Sequence, residues 1–418
     1  MSLVLPTTAS VQQPAATVEA ELKAKLPEIF AKALAHYQAL DASARKVAVA
    51  EEEVTLYSSE KSRLLAPRSY FKDTGKLDMC SIYWWTTGFL PGSLWYLYEA
   101  TGDKWCQESA EFWMERLRPN AKVTSNHDVG FIMYCSFGNA RRILKTDKYD
   151  EVLTTTANSL CQRYDEALGL IRSWGKIGDK KEFFVIPDNM MNLELLMAAS
   201  TLGGTGTQPD FKAIAISHAD KTMMNHFRAD GGCYHVLNYD QRPGLLGAVQ
   251  AIKRGQGLSC HTAWSRGQSW GIYGYTMMYR FTKDEKYLAF AKKLADYAIN
   301  HPNMPTDGVP YWDYGAPGEE RDSSAAAIMA SALLELSEYI GEDKKYRAFA
   351  VKQLLSLASP EYFSQGDEIG HFLLKHGVGS KPQKFQVDVP LDYGDYYFLE
   401  ALLRFQNGGV IDTRPTNH

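Results

Sequence analysis

The chain has 418 residues, and its 45 Lys and Arg stand against 49 Asp and Glu for a net charge of −4. Hydrophobic residues make up 45% and charged residues 22%, ordinary globular proportions that exclude disordered and fibrous classes. With no basic excess to neutralise phosphates and no apolar run of about 18 residues, neither nucleic acid nor a membrane is expected as a partner. The first 16 residues, rich in Pro, Ala, Ser and Thr, lack the basic and long apolar regions of an intact signal peptide. Residues 1–17 therefore read as a flexible tail, 18–410 as one domain and 411–418 as a C-terminal tail.

From residue 18 onward one pattern recurs. A helical apolar stripe runs into a short Gly/Asp/Lys turn, and an aromatic residue then opens another stripe. It appears at Leu94–Tyr98 before Gly102-Asp103-Lys104-Trp105, and at Ala140 before Lys145-Thr146-Asp147-Lys148-Tyr149. It returns at Leu195–Met197 before Pro209-Asp210-Phe211, at Met277–Tyr279 before Asp284-Glu285-Lys286-Tyr287, and at Leu333–Leu336 before Asp343-Lys344-Lys345-Tyr346. Each unit reads as an αα-hairpin whose turn ends one helix and caps the next. The helices near Val18–Leu40 and Tyr396–Phe405 are left over and would form a sixth hairpin by joining the two ends of the domain. Six hairpins predict an all-α fold, a closed (α/α)6 toroid or barrel with inner helices lining a funnel. Strand signals are sparse, and no β-α-β alternation appears. The long connections between hairpins carry the unusual residues and are expected around the funnel mouth.

The aromatic content of 12% suits a large core and equally a sugar-binding cleft. Six dispersed cysteines (Cys80, Cys106, Cys135, Cys161, Cys233 and Cys260) show neither C-x-x-C nor Cys/His metal spacing, so they read as buried free thiols and imply no metal. Chemistry is better sought at Ser125-Asn126-His127-Asp128-Val129-Gly130-Phe131 and at Ile186-Pro187-Asp188-Asn189, where Asp128 and Asp188 each open a helix. Either alone reads as a helix-capping carboxylate. Together, at equivalent starts of successive inner helices, they point into one funnel, and paired carboxylates are what glycosidic chemistry needs. In Trp264-Ser265-Arg266-Gly267-Gln268-Ser269-Trp270, the Arg266 guanidinium needs a partner, which a substrate carboxylate gripped by both its arms supplies. Gln256 lies on the Gly-rich loop Arg254-Gly255-Gln256-Gly257, suited to close approach of a ligand.

His127-Asp128-Val129-Gly130-Phe131, Asp188-Asn189-Met190-Met191-Asn192-Leu193 and Trp264-Ser265-Arg266-Gly267-Gln268-Ser269-Trp270, with Trp84-Trp85-Thr86-Thr87-Gly88-Phe89-Leu90-Pro91-Gly92 and Arg321-Asp322-Ser323-Ser324-Ala325, resemble motifs of the unsaturated glucuronyl hydrolases, glycoside hydrolase family 88. Their order and approximate spacing hold from about residue 80 to 400. The resemblance implies an (α/α)6 toroid that removes a 4,5-unsaturated uronic acid from the non-reducing end of polysaccharide-lyase products, without metal, nucleotide or other cofactor. It implies Asp188 as general acid and base, with Asp128 as companion carboxylate. Gln256, Arg266 and Trp270 would hold the uronate, His127 and a Trp of the Trp84-Trp85 pair would line the pocket, and Arg254 would add positive potential. It also implies a periplasmic or cytoplasmic setting. The sequence departs from the family pattern at Asn189 and at Lys253-Arg254.

The loop His376-Gly377-Val378-Gly379-Ser380-Lys381-Pro382 reads either as a surface turn with a solvated lysine or as part of the leaving-sugar site. In the second reading Ser380 donates a hydrogen bond and Lys381 meets a sulfate, so sulfated glycosaminoglycan disaccharides are expected to be tolerated or preferred over unsulfated ones. Three alternatives stand beside this function. One is an unsaturated rhamnogalacturonyl hydrolase on the same fold. Another is a sugar epimerase, which requires a pair of catalytic histidines not assignable among the ten. The third is a non-catalytic carbohydrate-binding toroid.

Overall fold

The computed structural model describes residues 15–55, 60–202, 209–341 and 344–411. Helix α1 (Ala15–Arg45) leads into a sheet of β1 (Val49–Thr55), β2 (Lys61–Phe71) and β3 (Lys76–Ser81). Helices α2 (Phe89–Thr101) and α3 (Lys104–Arg116) follow. Then come α4 (Val129–Met133), a π-helical turn (Tyr134–Gly138), α5 (Asn139–Leu144) and α6 (Asp150–Cys161). Two-residue strands β4 (Tyr164–Asp165), β5 (Leu170–Ile171) and β6 (Phe184–Val185) precede α7 (Asn189–Ala199) and α8 (Phe211–Asn225). Strands β7 (Val236–Tyr239) and β8 (Val249–Lys253) lead to α9 (Ser265–Thr282), α10 (Glu285–Ile299), α11 (Ser323–Ile340) and α12 (Lys345–Leu357). The hairpin of β9 (Gly377–Ser380) and β10 (Phe385–Val389) precedes α13 (Asp392–Gln406).

The inner ring runs α2, α4 with its π-turn, α7, α9, α11 and α13, each packed on the next, and α13 returns to α2. Outer helices α3, α6, α8, α10 and α12 pack on the ring, while α1 packs against α2 and α12. The first and last helices thus supply the sixth unit, as the left-over stripes predict. Sequence explains the two layers. Inner helices are apolar nearly all round, and every residue of α7 is buried. Outer helix α10 buries only Tyr287, Leu288, Ala291, Leu294, Ala295 and Ala298, one face at helical spacing. The hairpin turns also behave as their chemistry demands. Asp103, Asp210 and Asp284 accept from the backbone N–H of Trp105, Ala213 and Lys286 at 2.9, 2.9 and 3.0 Å.

The β content exceeds the sequence expectation. β1 is a Glu-rich edge strand and β2 contains Pro67, so neither shows a clean alternation. The sheet packs behind the β9–β10 hairpin through Gln386 Nε2, which donates to Asp78 Oδ2 at 3.1 Å. Of the six cysteines, five are buried free thiols as expected, and Cys260 is half-buried. Among the described residues no helix is long and apolar enough to cross a membrane. Most of the expected N-terminal and C-terminal tails, residues 1–14 and 412–418, lie outside the described residues.

Candidate active site

Inner helices start at the funnel mouth, and two of the starts carry the candidate acids. Before α4, Asn126 Oδ1 accepts from the Asp128 N–H at 2.9 Å, and His127 N–H donates to Ser173 O at 3.0 Å. Before α7, the turn at Ile186-Pro187 is closed by Asn189 N–H on Ile186 O at 3.2 Å. The two starts are tied together, since Asn192 Oδ1 of α7 accepts from Phe131 N–H of α4 at 2.9 Å. Gly130 makes this approach feasible, because a Cβ there would lie 2.5 Å from Asn192 Oδ1 and 2.7 Å from its Cα.

Neither Asp128 nor Asp188 makes a side-chain capping bond, although each stands at the cap position. The capping reading therefore does not describe them. Asp188 is buried, and its Oδ2 has no hydrogen-bond partner among the described residues. Burial pushes its carboxyl up to about 6, against the opposing pull of the Arg266 charge, its own backbone N–H and the Trp270 indole N–H. Asp128 keeps 20% of its side chain open to the funnel. The surrounding protein, and then the Asp188 charge, push it up to about 8, opposed by Arg163. Burial thus outweighs the helix N-terminus that favours the anion. The two acids sense each other's charge and titrate as a pair that retains a proton near neutrality.

Two imidazoles complete the acid environment. His127 Nε2 lies 3.2 Å from Asp128 Oδ1, and burial lowers the ring's pKa to about 3, so it stays neutral. His235, which the sequence reading missed, is also lowered to about 3 by burial. Its Nδ1 accepts from Gln256 N–H at 2.8 Å, which leaves the proton on Nε2, 3.7 Å from Asp188 Oδ2. Its ring lies on Trp264 at 4.4 Å. A histidine inside the long Cys233–Gln268 connection is the only sequence signal that marks it.

Beside the acids lies a cavity of about 280 Å³, lined by Trp84, Trp85, Gln256, Arg266 and Tyr393 together with residues of the β9–β10 hairpin. Trp84, Trp85, Gln256 and Arg266 are thus brought together as expected, and Tyr393 is an addition. Trp270 is buried, with its ring 5.3 Å from both Phe131 and Tyr397 and its indole N–H without a hydrogen-bond partner among the described residues. Ser380 is buried, with a hydroxyl that has no partner among the described residues. Arg254 is exposed.

Two of the expected substrate-binding side chains already have partners within the protein. Arg266 is 1% exposed, and both its terminal nitrogens are already engaged: Nη1 by Asp322 at 3.1 Å and by Val378 O, and Nη2 by Gly379 O at 2.6 Å. These bonds clamp α9 to β9, its Nε has no hydrogen-bond partner among the described residues, and its charge acts on Asp188. Lys381 is partly exposed at the rim of the hairpin. Its ammonium is bonded to Glu319 at 2.7 Å and to Glu320.

Among the described residues no group of three or more His, Cys, Asp or Glu is placed to hold a metal ion. A toroid with two proton-retaining carboxylates at its mouth, beside an aromatic and amide-lined cavity, defines a hydrolase of glycosidic type. No family model matches the chain. It is 42% identical over 330 residues to an unsaturated glucuronyl hydrolase of Formosa agariphila, covering 77% of this chain and 80% of that protein. It is 34% identical over 331 residues to an unsaturated chondroitin disaccharide hydrolase of Streptococcus pyogenes, covering 77% and 81%. Among solved structures, an unsaturated glucuronyl hydrolase specific for heparin superposes with a TM-score of 0.79 at 38% identity, over 92% of this chain and 99% of that one. The chain belongs to the unsaturated glucuronyl hydrolase family and is a hydrolase acting on glycosyl bonds.

Proposed function

We propose that this enzyme removes the 4,5-unsaturated uronic acid from the non-reducing end of glycosaminoglycan-type lyase products, with Asp188 as acid and base and Asp128 as its companion. The observation that carries the reading is the pair of acids at the mouth, both uncapped and both pushed toward neutral pKa by burial. The first chemical step is protonation of a vinyl ether, so it needs a carboxylic acid that is still protonated near neutral pH.

In that step Asp188 delivers its proton to C4. The C4=C5 electron pair forms the new C–H bond, leaving oxocarbenium character shared by C5 and the ring oxygen. Water then adds at C5 and returns a proton to the Asp188 carboxylate, so one carboxyl serves as acid and then base. The C5 hemiketal opens to a ketone, and C1 becomes a hemiacetal that releases the shortened saccharide as an alcohol. His235 Nε2–H faces Asp188 Oδ2 and favours the carboxylate formed after proton delivery. Asp128, sharing the pair's proton, is suited to hydrogen-bond the sugar hydroxyls. Gln256 and the indole N–H of Trp270 supply neutral donors for the uronate, and the long-range field of Arg266 favours its negative charge. Trp84, Trp85 and His127 line the pocket in this reading.

The setting we propose is the periplasm or the cytoplasm, where imported lyase products meet the enzyme. The test is loss of the enoate ultraviolet absorbance when the purified protein meets lyase digests of chondroitin, hyaluronan, heparin, gellan or pectin. Activity confined to the pectin digest favours the rhamnogalacturonyl alternative, and no loss with any digest favours a binding protein.

A further inference from the structure

Directly after Asp188, the start of α7 carries Asn189, a departure from the family pattern. Its side chain is fully buried, and its Nδ2 donates to Ile171 O at 3.2 Å. Two positions on, Ser173 O accepts from the His127 N–H at 3.0 Å, and Ser173 Oγ accepts from the Ile186 N–H at 3.1 Å. Residues 171–173 thus hold the Asn189 side chain, the His127 backbone and the turn that leads to Asp188. A carbonyl oxygen can only accept, so the amide must give Ile171 its nitrogen, and Oδ1 is what Asn189 has left to offer. That oxygen has no partner among the described residues, and neither has His127 Nδ1, although both side chains are buried. A buried polar atom left unpaired costs free energy. The two side chains also act on one another: burial and the Arg163 charge push the imidazole pKa down, and the Asn189 side chain pulls it up.

The other ring nitrogen, Nε2, lies 3.2 Å from Asp128 Oδ1. A neutral imidazole has one proton and one lone pair, so whatever Nδ1 faces decides what Nε2 can do. With the proton on Nε2, His127 donates to Asp128 and favours the carboxylate. With the proton on Nδ1, Nε2 accepts and favours the acid. A second proton on the ring is opposed by burial and by Arg163, whose own bonds go to three backbone carbonyls: Arg172 O at 2.7 Å, Thr124 O at 2.6 Å and Gly175 O at 3.1 Å. The other titratable groups acting here are His218 and Asp188. Burial depresses the His218 pKa and keeps that ring neutral, while the Asp188 charge drives Asp128 toward its protonated form.

We propose that Asn189 is a positioning residue: its Oδ1 accepts from His127 Nδ1–H, and the bare Nε2 in turn accepts from the protonated carboxyl of Asp128. The inference rests on the reading of Asp128 as companion acid and states which form of it meets the substrate. Asp128 is then uncharged, so the carboxylate that Asp188 becomes on delivering its proton has no second anion beside it. The Asp128 oxygen turned away from His127 is left to accept from a sugar hydroxyl.

Imidazole 15N NMR of histidine-labelled protein at neutral pH reads the tautomer, with the His127 signal assigned by its loss in His127→Gln. The proton is expected on Nδ1 in the wild type, and a proton on Nε2 overturns the inference. In Asn189→Ala the ring should turn over to the Nε2–H form, and the alkaline limb of the kcat/KM profile should fall by about one pH unit, the worth of one hydrogen bond moved from the acid to its anion. Added to Asp128→Asn, the same substitution should move the limb no further, because the group it acts through is gone. An equal shift in both backgrounds would make Asn189 a general support of the fold and overturn the inference. Absence of turnover with every lyase digest would overturn the proposed activity, and the wild-type ring signal would still decide the tautomer.

Discussion

Two groups of carboxylates lie toward opposite ends of the inner helices, and they are handled in opposite ways. At the helix starts, Asp128 and Asp188 have no arginine bonded to them, and their pKa values rise to about 8 and about 6. Toward the helix ends, Glu335 is bonded by Arg280 at 2.6 Å and Arg404 at 2.7 Å, and its carboxyl is held down at about 2. Arg280 also grips Glu194 at 2.6 Å, while Glu400 accepts from Tyr96, Tyr273 and Ser331 at 2.9, 2.8 and 2.6 Å. Burial alone raises a carboxyl pKa, and partners decide whether the acid keeps its proton. The axial group is tied to two arginines and joins the inner helices, while the mouth group keeps a proton to higher pH.

Removing one member of each group tests this contrast. Asp188→Asn should lower kcat by two to four powers of ten, the usual worth of a general acid-base group, with thermal stability kept. Near-normal turnover would dismiss Asp188 as the acid. Glu335→Gln should instead destabilise the fold by about 3–5 kcal/mol, because Arg280 and Arg404 lose their shared carboxylate, and a chemical denaturation curve reads this directly. The same group supplies an acid-side signature. Its folded pKa is depressed from 4.5 to about 2, so its stabilisation is present above 4.5 and is lost as pH falls toward 2.

Asp128→Asn should cost about tenfold to a thousandfold in kcat and move the alkaline limb of the rate profile to lower pH, because the pair's higher-titrating partner is gone. It should also raise the melting temperature above pH 8. A carboxyl whose pKa is raised in the folded state burdens that state once ionised, and the burden vanishes when the carboxyl is protonated. An unchanged melting temperature and pH profile would reduce Asp128 to a bystander. The smallest effect is expected for Arg266→Lys, where a point charge replaces a planar clamp. It should lower stability by about 1–3 kcal/mol and kcat/KM by a few-fold. A large loss of kcat/KM with unchanged stability would return Arg266 to direct contact with the uronate.

The toroid was legible because its signal is local and repeated: apolar stripes of helical period, aspartates that cap, and aromatics that open the next helix. The two acids were legible as helix starts, and their joint placement followed once the hairpins were taken as a ring. What sequence reading could not supply was which distant charges pair. Arg266 finds Asp322 56 positions away, and Lys381 finds Glu319 62 positions away. No local pattern connects such residues, so a substrate anion looked like the missing partner. His235 was missed for a similar reason, since its role follows from the Gln256 backbone 21 positions on and from the facing Asp188. The sheet of β1–β3 escaped notice because its charged edge and Pro67 hide the strand pattern.

The ring has a seam, and the seam orders the folding of a chain as it is made. Its last inner helix, α13, meets its first, α2, where Tyr96 donates to Glu400 across 304 positions and its hydroxyl lies 3.1 Å from that of Tyr396 across 300. During synthesis from the N-terminus the early hairpins can pair with their neighbours, but α2 keeps an uncovered flank until α13 has emerged. Tyr393 on that helix lines the cavity, and Glu400 joins the axial hydrogen-bond network. Ring closure and completion of the active site are therefore a single late event. A ribosome-bound chain stopped before residue 392 should be protected from protease in its central hairpins, exposed at α2, and without activity.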